Sequence, residues 1–122
     1  MNTDNYGTRE VCEKLFAAGI VLETDVVWWR CHTDPDEWVL RSRVLCGILM
    51  SPETIPAPLM TEVWRELPEF VDGNYISICK IKRNTFAYCG APWNAMRQEK
   101  NTNPTDALID LLIWTVKERK GK

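Results

Sequence analysis

The fold class follows from one stretch near the end of the chain, which reads NPTDALIDLLIWTVKER at positions 103–119. Asn103 suits the N-cap of a helix because its side-chain oxygen can accept a bond from an unpaired backbone N–H. Pro104 suits the first helical position, where no donor is needed, and Asp106 puts negative charge in the first turn. Basic residues from Lys117 onward and Gly121 match a helix end. The pattern predicts one long helix.

This helix carries apolar residues over a wide arc. Leu108, Leu111 and Leu112 fall at helical spacing on one side, and further isoleucines widen the stripe. A helix of this kind is mostly covered. We expect it to pack across a sheet with other elements beside it, or to leave Ile109 or Trp114 for a partner chain.

Length and composition indicate one domain over residues 1–122. The chain is 45% hydrophobic and 26% charged, with 15 basic against 17 acidic residues. This balance favours neither a nucleic-acid-binding face nor a mimic of DNA. The N-terminus lacks the regions of a signal peptide and no run is long enough to span a membrane, so we expect a cytoplasmic protein. The five scattered cysteines favour reduced, buried thiols over disulfides.

Other elements can be predicted from the spacing of apolar residues and from the turn-forming residues between them. A first helix is expected at 9–18, between Thr8 as N-cap and Gly19. A short helix should end before Pro68. Two hairpins are expected, one pairing 25–31 with 37–41 and the other pairing 75–81 with 85–89.

Three remaining segments are less regular. Residues 44–50 fit a further strand or a bent extension of the preceding one, and periodicity does not decide between them. Residues 51–58 hold three prolines and are predicted to be a connector. Residues 91–102 show no clear period and are predicted to be a long loop, either functional or mobile.

The register of the second hairpin decides which residues face the helices. A three-residue loop at 82–84 would leave Cys79 and Cys89 diagonal rather than opposite. It would also put Ile76 and Ile78 on the same face as Phe86 and Tyr88. We expect that face to meet the helices. The order of elements then predicts an α+β fold, an antiparallel sheet of about four strands with two to three helices packed mainly on one face.

Three helical blocks carry a family resemblance, VCEKL through Gly19 and Ile20, APLMTEVWRELP at 57–68, and NPTDALIDLLIW at 103–114. With the hairpin before the last block, they resemble a set of small proteins of unknown role encoded in phages, prophages and mobile elements of gut bacteria. The stretch 28–55 has no match in this resemblance. The resemblance implies mobile-element cargo in a bacterial host and supplies no catalytic residues.

One segment gathers groups that could do chemistry, namely Cys31, His32, Asp34 and Asp36. Adjacent residues on a strand point to opposite faces, which disfavours a Cys–His pair. A single histidine with scattered cysteines also falls short of the four ligands of a zinc site. We expect a surface turn here, with no catalytic residue, metal or cofactor.

Six tryptophans are many for this length, and exposed tryptophans commonly anchor interfaces. If residues 25–31 form a strand, Trp28 and Trp29 must face opposite sides of the sheet. For each tryptophan, packing in the core is the alternative to a role in an interface. The candidate interface residues are Trp28, Trp29, Trp38, Trp93 and Trp114. A weaker set of candidate phosphate contacts, for which a solvated turn is the alternative, is Lys80, Lys82, Arg83, Arg97 and Lys100.

These observations favour a non-enzymatic phage or mobile-element accessory protein that binds a protein partner, such as a host defence or replication component. We expect a homodimer as well, through an exposed sheet face or an edge strand. A small nucleic-acid-binding module using the basic hairpin tip and Trp93 is the alternative, although nucleic acid is a less favoured partner than protein. A Cys-dependent enzyme around Cys31 is a weaker one.

Overall fold

The structure is a computed structural model and describes residues 5–30, 37–42, 54–91 and 94–120. Within these ranges the elements, in chain order, are α1 (Arg9–Ala17), β1 (Val26–Arg30), β2 (Trp38–Ser42), β3 (Thr54–Pro56), α2 (Met60–Glu66), β4 (Phe70–Val71), β5 (Asn74–Ile81), β6 (Asn84–Ala91), β7 (Asn94–Asn101) and α3 (Pro104–Lys120). The α+β prediction is confirmed, with a four-stranded antiparallel sheet in the order β4-β5-β6-β7. The first hairpin belongs to a second sheet, in the order β2-β1-β3.

The predicted long helix is α3, and its start is built as expected. The Asn103 side-chain oxygen accepts the backbone N–H bonds of Thr105 and Asp106, at 2.9 and 3.1 Å. Leu108 and Ile109 have no exposed surface. The helix packs on β6 and β7 with α1 and α2 beside it, so Ile109 is not left for a partner chain.

The first helix lies where it was predicted, but its start is held differently. Thr8 occupies the N-cap position without a side-chain cap bond. Its hydroxyl donates instead to the Asp106 carboxylate at 2.8 Å. Gly19 follows the helix with a φ of 81°, the left-handed conformation that glycine adopts without strain.

The hairpin of β1 and β2 is confirmed, with Trp28 opposite Leu40. The prediction of a connector over 51–58 is wrong at Thr54–Pro56, because β3 pairs there with the other edge of β1. Pro56 is tolerated because it ends a short edge strand, where a missing ladder donor costs little. The segments 44–50 and 31–36 lie outside the described residues.

The hairpin of β5 and β6 is confirmed as an element, but the predicted register is wrong by one residue. The loop is a two-residue turn of Lys82 and Arg83, with Ile81 opposite Asn84. Cys79 consequently lies opposite Phe86. A one-residue slip exchanges the two faces of a strand.

The observed register puts small residues toward the helices. Ala87 lies opposite Ile78 and has no exposed surface, and Cys89 is buried in the same way. Phe86 and Tyr88 therefore lie on the opposite face of the sheet. The small side chains of β6 allow α3 to approach the sheet closely, which an apolar pattern alone does not reveal.

The predicted loop over 91–102 is wrong, because β7 spans Asn94–Asn101 and pairs with β6. An irregularity between Cys89 and Gly90 shifts the ladder, and Gly90 has a φ of 105°. β7 is an edge strand with mostly exposed polar side chains, so its sequence shows little alternation.

One buried cluster joins the helices to both sheets. It contains Cys12 of α1, Ile55 of β3, Val63 of α2, Ala87 of β6 and Leu108 of α3. The face of the four-stranded sheet that meets α3 is the inner face. The opposite face is called the outer face below.

Candidate protein-binding face and basic pocket

The outer face of the four-stranded sheet is rich in aromatic and aliphatic side chains. The register places on it Phe70, Tyr75, Ser77, Cys79, Ile81, Asn84, Phe86, Tyr88, Gln98 and Lys100. Tyr75 is 64% exposed, Ile81 56% and Phe70 54%. Exposed aromatic and aliphatic side chains that share one sheet face are typical of protein interaction sites.

Two contacts organise the side chains of this face. The rings of Phe70 and Tyr75 meet edge to face with centroids 6.0 Å apart. The Lys100 ammonium lies 5.9 Å from the centroid of the Phe86 ring. The face is therefore aromatic along its length and carries a cation on β7.

Sequence reasoning missed this face because the wrong register put Phe86 and Tyr88 toward the helices. A signal was present in β6, where the large Phe86 and Tyr88 alternate with the small Thr85, Ala87 and Cys89. A helix packed closely on a sheet favours the small set as the inner one.

Three of the predicted tryptophans, Trp28, Trp38 and Trp114, pack against the buried core. Trp28 lies against the core and donates its indole N–H to the Gly7 carbonyl at 2.9 Å. The Trp38 ring lies under the guanidinium groups of Arg9 and Arg30, at 5.4 and 5.9 Å.

Trp29 and Trp28 face opposite sides of β1, as expected for neighbours on a strand, and Arg41 lies 5.6 Å from the Trp29 ring. Trp114 is half-buried against the core. Trp93 lies outside the described residues. Trp64 of α2, which sequence reasoning left out, is 44% exposed.

The structure separates the five predicted phosphate contacts into three places. Lys80, Lys82 and Arg83 lie together around one cavity. Arg97 lies at another groove and is paired with Glu99 at 2.7 Å. Lys100 lies over Phe86 on the outer face.

The cavity beside the second hairpin is called the basic pocket. Its volume is about 490 Å³, and it is lined by Met60, Ile78, Cys79, Lys80, Lys82, Arg83, Thr85, Thr102 and Pro104. The lining holds three cations and no carboxylate. Its remaining walls are largely apolar.

A larger groove of about 710 Å³ runs between α1, α3 and β7. Its charges are largely paired with one another. Lys14 contacts Asp110 at 2.9 Å, and Arg97 contacts Glu99. The groove therefore carries a smaller net positive charge than the basic pocket, so it should attract an anion less strongly.

The buried thiols are poor nucleophiles. Burial, reinforced by the negative charge of Asp106, raises the pKa of Cys12 to about 12. Burial also raises the pKa of Cys89. Since the thiolate is the reactive form, neither thiol is activated at neutral pH.

The segment with Cys31 and His32, which was considered as a catalytic or zinc site, lies outside the described residues. Across the ranges that the structure does describe, no group of three or more histidine, cysteine, aspartate or glutamate residues is arranged to hold a metal ion. None of the described helices is long and apolar enough to cross a membrane.

No protein-family model matches the chain, and it matches neither a curated protein nor a solved structure.

Proposed function

We propose that this protein is a non-enzymatic accessory protein of a phage or mobile element, and that it binds a protein partner through the outer face. Its place of action is the cytoplasm of the bacterial host. The observation that carries the proposal is the solvent exposure of Phe70, Tyr75 and Ile81 on one continuous sheet face.

The energetics of this face suit a specific complex. Burying one large apolar side chain contributes roughly 1.5–3 kcal/mol, whereas association costs roughly 4–15 kcal/mol in lost freedom. Several such side chains must therefore be buried together. The face offers Phe70, Tyr75 and Ile81, with the half-buried Phe86 and Tyr88 between the exposed positions.

Charge defines the chemistry of the partner. Lys100 lies on the outer face, and Lys82 and Arg83 are exposed at the turn that ends it. A complementary surface is apolar with an acidic rim on the side that meets the β5–β6 turn. Such complementarity accelerates encounter and fixes orientation.

The mobile-element context rests on the resemblance of the three helical blocks, and it makes a host defence or replication component the expected partner. The genes on either side of this one test that context. Neighbouring phage or mobile-element genes are the expected result, and a neighbourhood of unrelated chromosomal genes would contradict it.

Affinity capture from a bacterial host lysate tests the binding proposal. The Phe70→Thr/Tyr75→Thr variant removes the exposed aromatic pair while keeping residues that suit strands. The matched control is Phe16→Gln/Val21→Thr, which removes apolar side chains that are 48% and 64% exposed elsewhere. Wild type and control are expected to retain the same specific protein, and the face variant to lose it. Retention by all three would overturn the proposal.

Light scattering separates a foreign partner from a second copy. A dimer mass that falls to the monomer mass in the Phe70→Thr/Tyr75→Thr variant would assign the outer face to self-association. A dimer mass unchanged by that variant would leave the outer face free for the proposed partner.

A further inference from the structure

We propose that the basic pocket binds a small anionic ligand of the mononucleotide class, with its phosphate groups at Lys80, Lys82 and Arg83. The ligand's flat apolar body would lie on Met60, Ile78 and Pro104. This inference goes beyond the outer-face proposal, with which it shares only the turn residues Lys82 and Arg83.

The charges are the first support. Three cations line the pocket without a carboxylate. The ion pairs found in the described part of the chain use other cations, including Arg9, Lys14 and Arg97. Like charges held together repel one another, and an anion that they share removes that cost. Lysine and arginine are the usual phosphate-binding residues.

The backbone at Lys82 is the second support. Lys82 has a φ of 58° in a two-residue turn, where glycine or asparagine is the favoured residue. A left-handed conformation costs a residue with a side chain roughly 1–2 kcal/mol. The chain thus keeps a cation at a position where glycine would fold more easily, which indicates a use for that side chain.

The hydroxyl of a buried threonine is the third support. Thr24, Thr105 and Thr115 are buried, and each donates its hydroxyl to a main-chain carbonyl. Thr85 is equally buried, at 4% exposed, and lines the pocket. Among the described residues no hydrogen bond of the Thr85 hydroxyl is found, so this group is placed to bond a ligand.

The remaining walls decide the kind of anion. Ligand cavities usually measure roughly 300–1,000 Å³ and combine apolar walls with a few polar groups. The basic pocket, at about 490 Å³, combines its cations with Met60, Ile78 and Pro104. A bare phosphate would leave these apolar walls uncovered. A nucleotide would use both parts.

Titration calorimetry of the full chain with ATP, pyrophosphate and a short single-stranded oligonucleotide tests this assignment. The test variant is Lys82→Gly/Arg83→Gln, which removes two charges and also relieves the left-handed lysine. It should therefore fold at least as well as wild type. The control is Lys117→Gln, which removes an exposed cation at the other groove.

We expect wild type and the Lys117→Gln control to bind ATP alike, and the Lys82→Gly/Arg83→Gln variant to bind it at least ten-fold more weakly. Pyrophosphate should bind more weakly than ATP, because it leaves the apolar walls uncovered. Equal affinity of the test variant, or no ATP binding, would overturn the proposal. Tighter binding of the oligonucleotide with a steep loss in salt would overturn it in favour of a nucleic-acid backbone.

Loss of protein capture by the outer-face variant does not bear on the ATP titration, so the two proposals fail separately.

Discussion

Thr8 and Asp106 are joined by two hydrogen bonds across 98 positions of the chain. The Thr8 main-chain N–H donates to Asp106 Oδ1 at 2.7 Å, and the Thr8 hydroxyl donates to Oδ2 at 2.8 Å. These bonds fix the start of α1 against the first turn of α3. The carboxylate thereby anchors the N-cap residue, whose own side chain forms no cap bond.

Replacing Asp106 should separate its hydrogen bonding from its charge. Asp106→Ala leaves the Thr8 donors without their acceptor in a buried site, so we expect a loss of about 2–3 kcal/mol in the free energy of unfolding. Asp106→Asn keeps an acceptor for the N–H and a donor for the hydroxyl, so its loss should stay below about 1 kcal/mol. Urea unfolding at pH 7 measures both, and equal losses would contradict this arrangement.

The contribution of Asp106 to the free energy of unfolding should fall as pH rises, because its carboxyl group is buried. Burial raises the pKa of Asp106 above its ordinary value of 3.8, against the lowering effect of the bonds from Thr8. Because the folded state holds this proton more tightly, the contribution is full below the unfolded pKa and is lost as pH rises through the folded pKa. Urea series from acid to neutral pH should show wild type losing stability relative to the D106N variant. If wild type instead gained stability relative to the D106N variant as pH rises, the pKa of Asp106 would be lowered by folding and not raised.

A side chain at Gly7 should destabilise the fold. A Cβ there would lie 2.6 Å from Ile109 Cδ1 and 2.8 Å from Cys12 Sγ. We expect Gly7→Ala to lower the free energy of unfolding by about 1–3 kcal/mol through overpacking. Gly19→Asn is the control, because its site is open and asparagine accepts a left-handed φ, so its cost should be about 1 kcal/mol or less. A Gly7→Ala variant as stable as wild type would show that this contact is looser.

The three described cysteines should differ in reactivity. Cys12 and Cys89 are buried with raised pKa values, whereas Cys79 is partly exposed. In the folded protein at pH 8 we expect alkylation of Cys79 well before the other two, with all three reacting in urea. Peptide mass spectrometry gives the order. Fast labelling of Cys12 without denaturant would show that α1 opens readily.

The sequence predicted what local chemistry decides and missed what depends on tertiary packing. The start of α3 was predictable because Asn103 and Pro104 act within one turn. The register of β5 and β6 was not, because Lys82 adopts a left-handed φ that a sequence pattern gives little reason to expect. That single residue moved Phe86 and Tyr88 to the outer face.

The edge strands β3 and β7 were also not predicted from the sequence. β3 ends at Pro56 and β7 is mostly polar, so neither shows the apolar alternation of a half-buried strand. Both become strands because the neighbouring ladder supplies their hydrogen bonds. The outer face was predicted only in outline, as an exposed sheet face, and its main residues are Phe70 and Tyr75 rather than tryptophans.

Site-specific photo-crosslinking in the bacterial host tests the protein-binding proposal at the residue level. A photoreactive residue is placed at Tyr75 on the outer face or, as the control, at the exposed Phe16 of α1. We predict one specific protein adduct from position 75 and none of that mass from position 16. Equal adducts from both positions, or none from position 75 in cells that hold the partner, would contradict binding through the outer face.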